Sequence, residues 1–309
     1  MADSSRSQNP HAAVRNGIEV QVFEEIFFTS QDNLTLYARD YGTHHTDALP
    51  IVCLHGFSHN SEDFHELALH LSQARRVIVP DLRGRGRSEY AQDKSTYTAF
   101  HEMLDVLDLL LIAGVHQAVI LGTSRGGIIA MLMAAFRPTM LKAVILNDIG
   151  PAIEHKGLLR LSGQLNTLPK PDDWNHAREI LSMAHGHALP GLSDDAWQGM
   201  AKRRFKETNR GLVVDYDPAL AKTFSAEVGK AQVNPKTYWP LFTAITAFPG
   251  LLIFGELSEL LSSKTAKEMA KRHKDLEVFT VKNRGHAPLL NEPGVVKAID
   301  TLIVKAERA

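Results

Sequence analysis

The run Leu121-Gly122-Thr123-Ser124-Arg125-Gly126-Gly127 places one serine between glycines two positions away on either side. A strand that bends sharply into a helix holds its turn residue in strained backbone geometry. The residues two positions away must then be small, because they pack on each other. Such a bend exposes the hydroxyl at a helix N-terminus, where N–H groups favour developing negative charge. The flanks suit this reading: Ala118 to Leu121 is an apolar strand candidate and Ile128 to Phe136 a helix candidate. Ser124 is therefore the candidate nucleophile, and acyl transfer is the candidate chemistry.

A serine hydroxyl is a poor nucleophile until a base takes its proton. The chain has 15 histidines, and His286 is set apart by its place in Asn283-Arg284-Gly285-His286-Ala287-Pro288, after the last strand candidate. That place completes the chain order nucleophile, acid, base. A carboxylate must hold the imidazole and stabilise its charged form. The segment Gly255-Glu256-Leu257-Ser258-Glu259, after the strand candidate Leu251 to Phe254, offers Glu256 and Glu259.

The elements that must position these residues alternate. Val20 to Thr29 and Leu34 to Tyr41 read as an antiparallel hairpin around Ser30-Gln31-Asp32-Asn33. Short apolar runs follow at Ile51–Leu54, Val77–Val79, Ala118–Leu121, Ala143–Leu146, Leu251–Phe254 and Leu276–Val281, with helical patterns at 63–74, 97–113, 128–136, 265–273 and 295–304 between or after them. This alternation predicts a parallel sheet with helices on both faces. The rhythm breaks from Pro151 to about Pro235, where no clear strand run is found. Residues 151–235 are expected to form a helical cap inserted into a core of residues 18–150 and 236–309, with residues 1–17 a flexible tail.

Composition narrows the partners. Lys and Arg number 34 and Asp and Glu 35, a net charge of -1 that gives no reason to expect nucleic acid or a membrane surface. A homo-oligomer is left open. No apolar stretch is long enough to span a bilayer, and the first sixteen residues lack the apolar core of a signal peptide. With one cysteine, Cys53, no internal disulfide can form, and a cytoplasmic protein is expected. Cys53 lies in an apolar run and reads as a buried hydrophobe.

The turn His55-Gly56-Phe57, the run Asp81-Leu82-Arg83-Gly84-Arg85-Gly86-Arg87-Ser88, the Ser124 bend and Gly285-His286 together resemble the α/β-hydrolase superfamily. The resemblance implies an α/β fold with a mostly parallel eight-stranded sheet, flanking helices and a lid at residues 151–235. It implies an oxyanion hole made by the backbone N–H groups of Phe57 and Arg125. It implies Glu259 as the triad acid, at a position where relatives of this type carry aspartate. Some members take the acid from after an earlier strand, which leaves Asp148 as the alternative, with Glu256 third. It implies that Arg83, Arg85 and Arg87 belong to a structural turn. The side chain of Arg125 has two readings, a pair with a nearby acid or a contact to a substrate carboxylate.

The expected activity is hydrolysis of a carboxylic ester or lactone of a small to medium molecule, with no metal or organic cofactor. The alternatives are a C–C bond hydrolase of β-diketone type and a non-catalytic small-molecule receptor. Relatives that open epoxides or remove halides use an aspartate nucleophile, which Ser124 replaces here.

Overall fold

The computed structural model describes residues 12–15, 18–233 and 237–308. In chain order the first half holds β1 (Ala12–Arg15), β2 (Ile18–Gln21), β3 (Glu24–Thr29), β4 (Thr35–Tyr41), β5 (Ile51–Leu54), α1 (His65–Leu71), β6 (Val77–Asp81), α2 (Ala99–Ile112), β7 (Ala118–Thr123), α3 (Arg125–Phe136) and β8 (Leu141–Asn147). Then come α4 (His155–Thr167), α5 (Trp174–His185), α6 (Asp194–Arg204), β9 (Phe205–Thr208), β10 (Gly211–Val214) and α7 (Ala219–Val233). The chain closes with α8 (Trp239–Ile245), β11 (Gly250–Gly255), α9 (Ser263–Arg272), β12 (Leu276–Val281) and α10 (Val295–Glu307).

Eight strands form one sheet in the order β12-β11-β8-β7-β5-β6-β4-β3. Pairs from β12 to β6 are parallel, and β4 pairs antiparallel with both β6 and β3. The apolar runs of β5, β7 and β11 are buried along their whole length because helices cover both sides. Successive residues point to opposite faces. Val52, Leu54, Ile120, Val144, Leu146 and Leu252 meet α2, α3 and α8 on one face. Ile51, Cys53, Val119, Leu121, Ala143 and Ile145 meet α1 and α10 on the other. Each valine, leucine and isoleucine among them contributes roughly 1.5–3 kcal/mol through burial. The same packing explains why α3 is apolar all round, with sheet on one side and α2 and α8 beside it.

The order of the strands positions the site. From β5 the chain steps to β6 on one side, then returns through α2 to β7 on the other. The loops after β5 and β7 therefore leave in opposite directions and open a crevice at the carboxyl ends of the strands, the place where ligands bind in open α/β sheets.

The inserted segment departs from an all-helical expectation. Besides α4 to α7 it holds the antiparallel pair β9 and β10. It has a small core of its own in which Trp197, Met200, Phe205 and Leu212 pack with Ala177 and Leu181. The expected single strand Val20 to Thr29 is divided into β2 and β3. The tail expected at 1–17 lies outside the described residues except for Ala12–Arg15, which pair with β2.

Candidate active site

Ser124 is the one residue between the end of β7 and the start of α3, with φ 51° and ψ -109°. A non-glycine residue held at positive φ costs of order 1–3 kcal/mol, so the surroundings must enforce it. Ser124 N donates to Asn147 O at 3.1 Å and Gly127 N donates to Ser124 O at 3.0 Å. The flanking glycines are steric requirements. A Cβ on Gly122 would lie 2.3 Å from the carbonyl carbon of Gly126, and one on Gly126 would lie 2.1 Å from Leu54 O. The bend thus fixes the serine on the wall of a cavity that His286 also lines.

His286 Nδ1 lies 2.8 Å from Asp148 Oδ2. Asp148 follows β8, is fully buried and has φ 54°. Its Oδ1 accepts from Gly255 N at 2.8 Å and its Oδ2 from Ser258 Oγ at 2.6 Å. Three donors therefore hold this carboxylate in place beside the imidazole. The imidazole then donates from Nδ1 and keeps Nε2 as the basic nitrogen.

Glu259, the first-ranked acid from the sequence, does not reach His286. Its carboxylate pairs with Arg160 Nε of α4 at 2.6 Å and is 46% exposed. Glu256 is taken up by the amide of Asn283 at 3.0 Å. The reason is sheet geometry. β8 and β11 are parallel neighbours, so the residues that follow each end at the same spot. Asp148 fills that spot directly, the loop after β11 supports it through Ser258, and Glu259 is turned outward.

Phe57 and Arg125 line the same cavity as Ser124. Among the described residues neither Phe57 N nor Arg125 N donates a hydrogen bond. The turn before Phe57 is pinned by His55, whose Nδ1 donates to Gly56 O at 2.8 Å while Nε2 accepts from Leu82 N at 2.9 Å. Burial pushes the His55 pKa down to about 3, so the ring is neutral, as its one donor and one acceptor require.

Behind these amides lies a buried ionic network without a signature in the sequence. Glu102 of α2, wholly buried, accepts from Arg85 Nη1 at 2.8 Å and from Arg125 Nε at 2.6 Å. Arg85 Nε donates to Phe57 O at 2.8 Å, and both guanidinium groups lie over the Phe57 ring, at 5.0 and 5.5 Å from its centroid. Burial alone would raise the Glu102 pKa, but the attraction of Arg125 and Arg85 outweighs it and holds the group below the usual carboxylate range. The Arg125 side chain thus pairs with an acid. Arg83 pairs with Asp105 and Asp32, and Arg87 with Glu25.

The cavity measures about 400 Å³. Its apolar wall includes Leu158, Leu161 and Leu165 of α4 and Phe224 and Val228 of α7. Its polar wall includes His59, His185 and Arg204. Among the aromatic residues of the inserted segment, Trp197 and Phe205 belong to that segment's own core, while Phe224 packs on Phe57 with centroids 4.7 Å apart. The segment touches the histidine loop directly. Gly285 N donates to Ala188 O at 2.6 Å and Arg284 Nη1 to Pro190 O at 3.0 Å.

Comparison with known proteins agrees with this architecture. Residues 50–293 match a family model described as the alpha/beta hydrolase fold. A 3-hydroxybutyrate-oligomer hydrolase of Cupriavidus necator is 29% identical over 80% of this chain and 85% of its own. An sn-1-specific diacylglycerol lipase of Mus musculus is 37% identical over 76% of this chain and 74% of its own. The crystal structure of an alpha/beta hydrolase from Novosphingobium aromaticivorans superposes with a TM-score of 0.85 at 36% identity, covering 92% of this chain and 99% of that one. The sheet order, the strained serine bend and a family match spanning most of the sequence make this chain a member of the α/β-hydrolase family and a hydrolase.

Proposed function

We propose that the protein is a serine hydrolase that cleaves the carboxylic ester or lactone of a small to medium molecule, with Ser124 as nucleophile, His286 as base and Asp148 as acid. The observation that carries this reading is the 2.8 Å contact of His286 Nδ1 with buried Asp148, on a cavity wall that also holds the strained Ser124. His286 Nε2 takes the Ser124 proton as Oγ attacks the carbonyl carbon. The tetrahedral oxyanion rests between the N–H groups of Phe57 and Arg125, each worth roughly 10²–10³ in rate. The carbon–oxygen bond breaks, His286 returns the proton to the leaving oxygen, and the acyl group stays on Ser124. Water, deprotonated by His286, then releases the acid. This scheme uses no cofactor.

The relatives in Cupriavidus necator and Mus musculus are named for a hydroxybutyrate oligomer and for diacylglycerol, and both compounds are esters. A lone cysteine, fully buried, suits a reducing compartment, and a cytoplasmic location goes with the reading. Among the described residues no helix is long and apolar enough to cross a membrane. The test is labelling with a fluorophosphonate alongside p-nitrophenyl acetate turnover. The reading expects one adduct on Ser124, with labelling and turnover both lost in Ser124→Ala. A wild-type protein that neither labels nor turns over would favour a receptor, and a fully active Ser124→Ala would remove Ser124 from the chemistry.

A further inference from the structure

Charge on the cavity wall is uneven. Arg204, the last residue of α6, lines the cavity with its side chain 13% exposed. Its Nη1 lies 3.1 Å from Asp63 Oδ2, and its Nη2 lies 2.6 and 2.7 Å from the ring nitrogens of His59. The neighbouring Arg203 also pairs with Asp63, through Nε at 3.2 Å. Two guanidinium groups therefore share one carboxylate. The next acid, Asp215, is taken by Lys206 at 3.0 Å and by the Asn60 amide at 3.0 Å. Glu227, the carboxylate on the cavity wall, belongs to the other side, 3.6 Å from Arg125. The Arg204 corner thus carries an unmatched positive charge, which is costly in a partly dry site unless an anion joins it.

Two histidines line the same wall. Burial first, and then the charge of Arg204, pull His59 down to about 4 and His185 down to about 3, so both rings are neutral at working pH. His59 is a support for Arg204: its Nδ1 donates to Asp63 and its Nε2 accepts from Arg204 Nη2, whereas His185 keeps an N–H to donate to an anion. Ala188 N donates to His185 O at 2.9 Å and Ala188 O accepts from Gly285 N at 2.6 Å, so this corner adjoins the loop that carries the base. The base returns its proton to the leaving oxygen, which puts the corner on the leaving-group side of the scissile bond. The apolar wall of α4 and α7 remains for the acyl chain.

We propose that Arg204, held by His59 and joined by His185, binds a free carboxylate on the alcohol half of the substrate, so that the preferred substrates are esters of hydroxy acids. Acyl transfer to Ser124 then breaks the ester carbon–oxygen bond and releases the hydroxy acid, and water completes the cycle by freeing the acyl group. This inference rests on the serine-esterase reading above.

The experiment compares kcat/KM for 3-(butyryloxy)butanoate with that for its neutral primary amide, and for monoethyl glutarate with its amide. The first pair carries the charge on the alcohol half, the second on the acyl half. The wild-type protein should prefer the acid in the first pair by about 10–100-fold, as expected for one charge-assisted contact. Arg204→Gln should bring that ratio close to one, and Arg204→Lys, which keeps the charge but not the planar fork, should retain part of it. Should Arg204→Gln fail to fold, the wild-type ratio together with Arg204→Lys still decides. A wild-type ratio of one, or a ratio that survives both substitutions, overturns the subsite. A preference confined to the second pair overturns its placement on the alcohol half. Fluorophosphonate labelling of Ser124 separates the two levels: labelled protein with equal rates removes only the subsite, whereas unlabelled, inactive protein removes the esterase reading beneath it.

Discussion

The strand ends and the inserted segment build one cavity by different means. At the strand ends, backbone geometry sets every reacting group. Ser124 is locked by a bend that tolerates only glycine two positions to either side, and Asp148 is held by the amide of Gly255 at the end of β11. In the segment 151–235, helices with a core of their own contribute side chains such as Leu158, Phe224 and Arg204 to the wall. In the proposed function the first region decides which bond is broken and the second which molecule fits. Sub-ångström control is needed only where atoms react, so that reading assigns the chemistry to the sheet and the shape to the insert.

This division is open to direct attack. The largest effect should come from Asp148→Asn, which leaves the shape but removes the charge that orients the imidazole; a loss of about 10⁴ in kcat is expected. If turnover on p-nitrophenyl acetate stays within tenfold of wild type, Asp148 is not the acid. Glu102→Gln comes next. It keeps the side-chain volume but weakens the grip on Arg85 and Arg125, and with it the setting of both oxyanion amides. A drop of about 10²-fold in kcat with little change in KM is expected. A tetrahedral inhibitor such as a boronic acid should weaken in parallel, which loss of stability alone would not produce.

In the inserted segment, Trp197→Ala empties part of the local core and should cost about 3–5 kcal/mol in denaturant unfolding. Its effect on kcat for a short ester should remain far below that of Asp148→Asn, and an equal loss would dissolve the contrast between the regions. Acid stability tests the buried rings. His55, His59 and His185 fall from an ordinary 6.5 to about 3, about 4 and about 3 in the fold. The unfolded chain therefore binds more protons below pH 6.5, and stability should fall as pH drops through that point. Asp81 and Asp105, both raised to about 6 from 3.8, act in the opposite direction between those values, so the decline there should be partly offset. A melting temperature that rises on acidification from pH 7 to 5 would contradict the assignment of these rings as neutral. The smallest effect belongs to Glu259→Gln, which touches only an exposed pair with Arg160 and should leave turnover within about twofold.

Much of the core was legible because steric and periodic rules operate locally. The glycines around Ser124 and the apolar runs of β5, β7, β8 and β11 declare a strand–bend–helix and a covered parallel sheet without any long-range information. That His286 sits on the loop after the last strand was legible. That Asp148 and not Glu259 meets its ring was not, because this depends on β8 and β11 being neighbours, a fact of strand order. The Asn-Asp pair at the end of β8 was the available signal, since a short polar side chain tolerates the positive φ found there. The hairpin of β9 and β10 was missed because each strand has four residues, too few for a period to show. Arg204 and Glu102 carry no motif. Their roles come from which element packs beside which, and one sequence does not encode that in any local pattern.

The bond from Gly285 to Ala188 ties the inserted segment to the very loop that bears His286. A displacement of this corner would pull on the loop that carries the imidazole, so the seating of the insert and the alignment of that ring with Asp148 are mechanically linked.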